Sequence, residues 1–433
     1  MKAIKNICIL VVVAIFATSC DKVYLDPNST LEPDVTNSTD NLTNLVNGIQ
    51  QRWSSERTGL VYALVNLSGL NTGELQLLNA GNIGENQALL GGGDIGGNNE
   101  LLNNIWTNAM LCRKEATTVI NSADGATDDT SIASTLKAYG LFYRALVHGT
   151  LIQYFEQIPI TIEENAAFTN RASVLQNAIA ELTEAKGLVS SGLSTTVTSK
   201  LIGSVDLINS INALLARYNL MAGNYTDAIT AANLVDTSVK STWKYDAAIP
   251  NPLAFWFGSN NVTQAKNLNF GLPANLLPDA ADARVPFYVK TATAEDGSTN
   301  YSVAAFFDDN LDEIPLYLPG EMMLIKAEVY ARLDDLDNAK TALDTVLTKT
   351  TDAYGIGAAL PAYTGAETKE ALLDEIYKNR RIELFLSGLS LEDTRRFNRP
   401  GAGTTNAERN RDYYPYPNAE RDNNTNTPAN PTS

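Results

Sequence analysis

Histidine is almost absent: one in 433 residues, with cysteine next at three. A lone His148 removes His-rich metal sites and leaves any Ser-His-Asp triad dependent on that single ring. Nothing near it in sequence resembles a nucleophile elbow or a metal partner, so it reads as a structural or surface histidine. Cys8, Cys20 and Cys112 give no disulfide framework. Basic residues are also scarce, 32 Lys and Arg against 49 Asp and Glu, for a formal net charge of −17. No more than two of them stand together, and without a concentrated basic patch the chain is not built to hold nucleic acid. No apolar run reaches the roughly 20 residues of a membrane-spanning helix. With 44% hydrophobic residues, the chain reads as globular and long enough for one large core. Its Gly-rich stretches contain no Gly-x-x-x-x-Gly-Lys-Ser/Thr loop, which argues against a phosphate cradle. The acidic cluster Asp308-Asp309-Asn310-Leu311-Asp312-Glu313 lacks the spacing and the glycine of a calcium loop and reads as a solvated turn. No metal, cofactor or catalytic residue is expected.

The N-terminus is a targeting segment. Lys2 and Lys5 precede the apolar run Ile7 to Ala17, too short to span a bilayer and shaped like a signal-peptide core. It ends in Ala17-Thr18-Ser19-Cys20, which resembles a bacterial lipobox with Ala17 in place of the usual leucine. Residues 1–19 are therefore expected to be a signal peptide and Cys20 the acylated first residue of the mature chain. From there to residue 41 the sequence is rich in Asp, Asn, Ser, Thr and Pro and reads as an extended tether.

From Leu42 onward the pattern is helical. Apolar residues at 42, 45, 46, 49 and 53 share one helix face. A second stripe runs Leu102, Ile105, Trp106, Ala109, Cys112, Ala116, Val119, making Cys112 a small core hydrophobe and Trp106 a packing residue. A third carries Leu136, Tyr139, Tyr143, Leu146, Val147, Thr150 and Tyr154 and stops before Pro159. Two later segments repeat at an offset of 111 residues. Ala216-Arg217-Tyr218 with Gly223-Asn224-Tyr225-Thr226-Asp227-Ala228 aligns with Ala327-Glu328-Val329 with Asp334-Asp335-Leu336-Asp337-Asn338-Ala339. Each reads as helix, tight turn, helix, with alanines where two helices close on one another, as in a tetratricopeptide hairpin. The fold class is mainly α: such hairpins form a scaffold, and long irregular insertions at about 70–100 and 243–319 carry the ligand site. Strands are expected only in the insertions.

The segment Ile376 to Arg396 resembles the C-terminal helix signature of the SusD/RagB family of Bacteroidetes surface glycan-binding lipoproteins. Arg380, Glu383, Leu384, Gly388, Asp393 and Arg396 match; Asn379, Ser387, Ser390 and Thr394 depart, which marks a divergent subgroup. Asp282-Ala283-Arg284 looks like the family's D-x-R segment, and Tyr414-Pro415-Tyr416-Pro417-Asn418-Ala419-Glu420 like its terminal Y-P-x-P-x-x-E. Residues 42–433 are then a single SusD-like helical domain.

The resemblance implies an outer-membrane, lipid-anchored protein facing the cell exterior. It would capture an oligosaccharide and deliver it to a SusC-like TonB-dependent transporter, without being an enzyme. Sugars offer apolar C–H faces and a fringe of hydroxyls, which suit flat aromatic rings and polar side chains respectively. Among 4 Trp and 18 Tyr, Trp53 with neighbouring Arg57, and Trp243 and Trp256 in the long insertion, are the candidate binding residues. Glu74, at the head of the first insertion, is the candidate hydroxyl acceptor. Two other readings compete. A secreted glycoside hydrolase needs two facing carboxylates, and no sequence pattern pairs any. A helical-repeat adaptor would leave the insertion aromatics without a role.

Overall fold

The computed structural model of the chain describes residues 36–259 and 261–432. The signal segment, Cys20 and the first part of the tether lie outside those residues. Helix α1 (Thr39–Ser54) begins inside the stretch read as tether, because Asp40 in its first turn suits the free N–H groups there and extends the helix back past Leu42. Leu42, Val46, Ile49 and Trp53 face the core. Helix α2 (Leu60–Asn71) carries no charge and is buried nearly all round, as a helix without a polar face must be. Then come α3 (Ile83–Leu90), α4 (Glu100–Ala126), α5 (Thr130–Tyr154) and α6 (Arg171–Leu188), the last three packed one on the next. Asn99, Asp129 and Asn170 cap those three with side-chain oxygens. The stripes of α4 and α5 are buried as their spacing predicts. His148 is not a surface residue. It is buried on α5, its Nδ1 3.1 Å from Glu181 Oε2 and 3.2 Å from Asn177 Nδ2.

Both hairpins form. The first joins α7 (Leu207–Ala222) to α8 (Tyr225–Ala232), the second α9 (Pro319–Arg332) to α10 (Leu336–Leu347). Gly223 ends α7 at φ +80°, and the residue 111 positions later, Asp334, has φ +61°. The same left-handed turn thus recurs in both copies, filled once by glycine and once by an acidic residue that tolerates it. Ala216, Ala327, Ala228 and Ala339 are all fully buried, so the helices close on methyl groups. Helices α11 (Lys369–Glu383) and α12 (Ser390–Arg396) complete the scaffold.

Strands are short and paired two by two among the described residues. Leu75–Leu77 runs antiparallel to Thr263–Ala265, with Leu75 opposite Ala265, and so ties the first insertion to the second. Val289–Thr293 and Thr299–Val303 form a hairpin, and Thr242–Trp243 pairs with Ile314–Pro315. One pair, Gln157–Pro159 with Phe168–Asn170, lies outside the insertions. It uses the chain reversal after α5, where Pro159 bars further helix.

A buried charge network locks the C-terminal helices to the hairpins. Glu328 on α9 accepts from Arg396 Nε at 2.8 Å and Arg332 Nε at 2.9 Å, while Asp393 accepts from Arg380 and Arg396. Nearby, Arg284 donates to Asp282, Glu383 and Asn379, all buried. The departures from the family signature do not empty this network. Asn379 joins it through Oδ1, and Ser390 bonds Ser68, Thr72 and Glu74.

Candidate ligand-binding cleft

Asn251 builds one wall. Fully buried, it accepts from the Leu253 and Ala254 amides and donates to the carbonyls of Phe306 and Asp312. This caps the turn Pro252–Ala254, whose proline sits where no N–H is needed. The turn runs into a π-helical turn, Phe255–Ser259, a geometry frequent at functional sites. Phe255 and Trp256 meet edge to face, ring centroids 5.6 Å apart, and Phe255 is 37% exposed.

The opposite wall is the exit from α1. Glu56 adopts φ +61°, which reverses the chain after Ser55. The Arg57 guanidinium comes to lie 5.0 Å from the Trp256 ring centroid, within cation–π range. Glu85, buried in α3, fixes it: Arg57 Nη2 lies 2.8 Å from each carboxylate oxygen, and the Tyr62 hydroxyl donates to Oε1 at 2.8 Å. Burial opposes the Arg57 charge, but hydrogen bonds and ion pairing with Glu85 outweigh it and raise the guanidinium pKa. Burial, then Glu85, push the Tyr62 phenol up. Between the walls is a cleft of about 680 Å3, lined also by Gln51, Arg52, Thr58, Asn108 and Ile249. An exposed aromatic face, a fixed cation and amide groups around one opening suit a ring with apolar faces and hydroxyl edges.

The structure brings together Arg57 and Trp256 and leaves the other candidates elsewhere. Trp53 and Trp243 are each 3% exposed and stack on one another, centroids 6.2 Å apart at 24°. Neither has a free face. Trp53 follows the buried stripe of α1, and Trp243 sits in the Thr242–Trp243 strand against the core. Glu74 does not face solvent at a loop head, where a sugar hydroxyl could reach it. It is 2% exposed, accepts from Ser390 Oγ at 3.1 Å and lies 3.6 Å from Arg381 Nε. Tyr62, Glu85, Phe255 and Asn108 were not singled out from sequence. Phe255 adjoins Trp256 and had that signal; nothing local marks Glu85 as the partner of Arg57.

Residues 307–432 match the SusD family model. Over that segment the chain is similar to the SusD family. Its fold agrees. A SusD-like carbohydrate binding protein of Bacteroides vulgatus is 17% identical, with a TM-score of 0.66 over 84% of each chain. A SusD superfamily protein of the same species is 15% identical, with a TM-score of 0.71 over 91% of this chain and 99% of that one. Another, from Bacteroides thetaiotaomicron, is 17% identical, with a TM-score of 0.69 over 91% and 100%. At these identities the likeness is one of fold. No curated protein matches the chain. The Arg57–Trp256 cleft lies outside the segment that matches the SusD family, whereas the Glu328–Arg396–Asp393 network lies within it.

Glu74 gives the chain a pH dependence of its own. Burial pushes its carboxyl up from the ordinary 4.5 to about 7, with Arg381 holding it back. The folded state therefore binds the proton more tightly than the unfolded state, and this group's contribution is lost as pH rises from about 4.5 to about 7. Glu74→Gln removes that titration. The unfolding free energy of the parent minus that of the variant is expected to fall by roughly 3 kcal/mol between about pH 4 and about pH 8. Urea melts at the two pH values measure it, and a pH-independent difference contradicts it.

Proposed function

We propose that this chain is a cell-surface glycan-binding lipoprotein that captures an oligosaccharide in the cleft bordered by Arg57 and the Phe255–Trp256 pair. On this reading residues 1–19 are removed and Cys20 is acylated. A single helical domain stands beyond the tether on the outer membrane, facing outward. The oligosaccharide passes to a SusC-like TonB-dependent transporter. Among the described residues no helix is long and apolar enough to cross a membrane, so on this reading the acyl group does the holding. The observation that carries the proposal is the half-exposed aromatic pair faced by a cation whose position Glu85 fixes. The SusD-family segment supports it, as does the fold shared with a Bacteroides vulgatus protein described as carbohydrate binding.

Capture without cleavage fits the carboxylates at the cleft. Glu85 is held by Arg57 and Tyr62, and Glu56 is exposed at the rim. Hydrolysis instead requires two carboxyl groups facing one glycosidic bond.

Trp256→Ala is expected to weaken glycan binding by about 1–3 kcal/mol, as loss of an aromatic anchor does in other interfaces, while the variant stays folded. Affinity electrophoresis against a panel of neutral polysaccharides, beside thermal melts, measures both. Parent-like binding by Trp256→Ala sinks the placement of the site. Release of reducing sugar by the pure protein sinks the non-enzymatic reading.

A further inference from the structure

A second cleft, of about 800 Å3, opens at the other end of α2. The first cleft reaches Thr58, just before α2; this one begins at Leu70 to Gly73, at its end. The helix between them spans about 18 Å. The remaining walls are the loop from Lys266 to Asn275 and the segment from Arg399 to Asn410.

Two glycines shape the floor. Gly73 and Gly271 have φ of +75° and +69°. A Cβ on Gly271 would stand 2.2 Å from the Thr72 carbonyl oxygen, so only glycine lets the two loops close. The Lys266 ammonium reaches over this floor, 3.8 Å from where a Cβ on Gly73 would sit.

The lining chemistry differs from that of the first cleft. No aromatic ring lines it, so a neutral sugar would find no stacking face. In a chain of net charge −17 it is lined by Lys266, Arg399 and Arg409 against one carboxylate, Glu408. Glu408 is already engaged by Tyr377 and Arg399, and Arg409 by Asp412. Lys266 has no ion-pair partner among the described residues, and the side-chain amides of Asn269, Asn275 and Asn406 have no hydrogen-bond partner there. The free groups are thus one cation and several amides that both donate and accept.

We propose that this cleft is a second saccharide site, specific for an acidic sugar whose carboxylate pairs with Lys266 and whose hydroxyls meet the free asparagine amides. The choice of a saccharide rests on the glycan reading above; the requirement for negative charge rests on the lining alone.

Calorimetric titration of the full chain at low salt tests it. The probes are oligogalacturonate and oligoglucuronate, each beside its carboxyl-reduced neutral counterpart, with inorganic phosphate as a bare anion. The expected result is binding of at least one acidic oligomer, weakened about tenfold or more by carboxyl reduction and by Lys266→Ala. Lys266→Arg should retain most of it and Trp256→Ala nearly all of it. Lys266 is exposed, so an unchanged melting temperature for its variants should accompany these results. The proposal is overturned if neither acidic oligomer binds, if Lys266→Ala binds like the parent, if the loss follows Trp256→Ala instead, or if phosphate binds as tightly as the oligomers. Failure of the glycan reading would show separately, as neutral-polysaccharide binding indifferent to Trp256→Ala.

Discussion

Glu328→Ala is expected to destabilise the fold by about 3–5 kcal/mol, the cost typical of breaking a buried ion pair by removing one partner. The carboxylate is fully buried on α9 and receives Arg332 and Arg396, with Arg380 Nε 4.0 Å away. Asp393 is the other carboxylate among these three guanidiniums. Removing Glu328 leaves one negative charge for three positive ones, of which Arg380 is buried and Arg332 and Arg396 are only slightly exposed. Glu328→Gln keeps the volume but not the charge and should recover only part of the loss. Urea unfolding of both variants measures this, and a loss below about 1 kcal/mol for the alanine variant would mean that the arginines find water or other acceptors. The same geometry sets an acid limit. Burial works to raise the Glu328 and Asp393 pKa values, but the arginines outweigh it and hold both below the ordinary range. Such groups contribute stability above the unfolded-state carboxylate pKa and lose it as pH falls through their depressed values. That dependence is opposite in sign to the one expected of Glu74.

Trp53→Ala should also cost about 3–5 kcal/mol, as deletion of a buried tryptophan does, and should leave glycan affinity unchanged in whatever fraction stays folded. Trp53 stacks on Trp243 and borders a cavity of only about 80 Å3. Its removal opens a void between α1 and the Thr242–Trp243 strand rather than uncovering a binding face. Thermal melts paired with affinity electrophoresis distinguish this from a platform residue. Lost binding at an unchanged melting temperature would return Trp53 to the site.

The helices were legible because burial is written in spacing. Leu42, Val46 and Ile49 define the inner face of α1, and Trp53 continues it. That periodicity admits Trp53 to the core and its neighbour Arg57 suggests a site; the stack on Trp243, far away in sequence, puts it in the core. The 111-residue offset was legible because a tight turn between packed helices restricts both the small residues and the left-handed position, and both recur. The cleft was less legible. One wall comes from the second insertion and the other from the exit of α1, with Glu85 of the first insertion holding Arg57, and no local periodicity links residues that far apart in the chain. Glu74 was misplaced for the same reason. Its neighbour Arg381 arrives from α11, and a lone glutamate after a turn looks solvated until that helix is in place.

Helix α2 has no polar face and is buried on nearly every side, so it acts as a rigid spacer. The groups before Thr58 and after Asn71 are held at a separation that neither a loop nor a linker could maintain. A polymer engaged at one end of such a spacer meets the other end at a concentration set by its own reach rather than by the surrounding solution. Two weak attachments on one polysaccharide strand would then hold far longer than either alone, and neither contact would need to be strong enough to hinder later release.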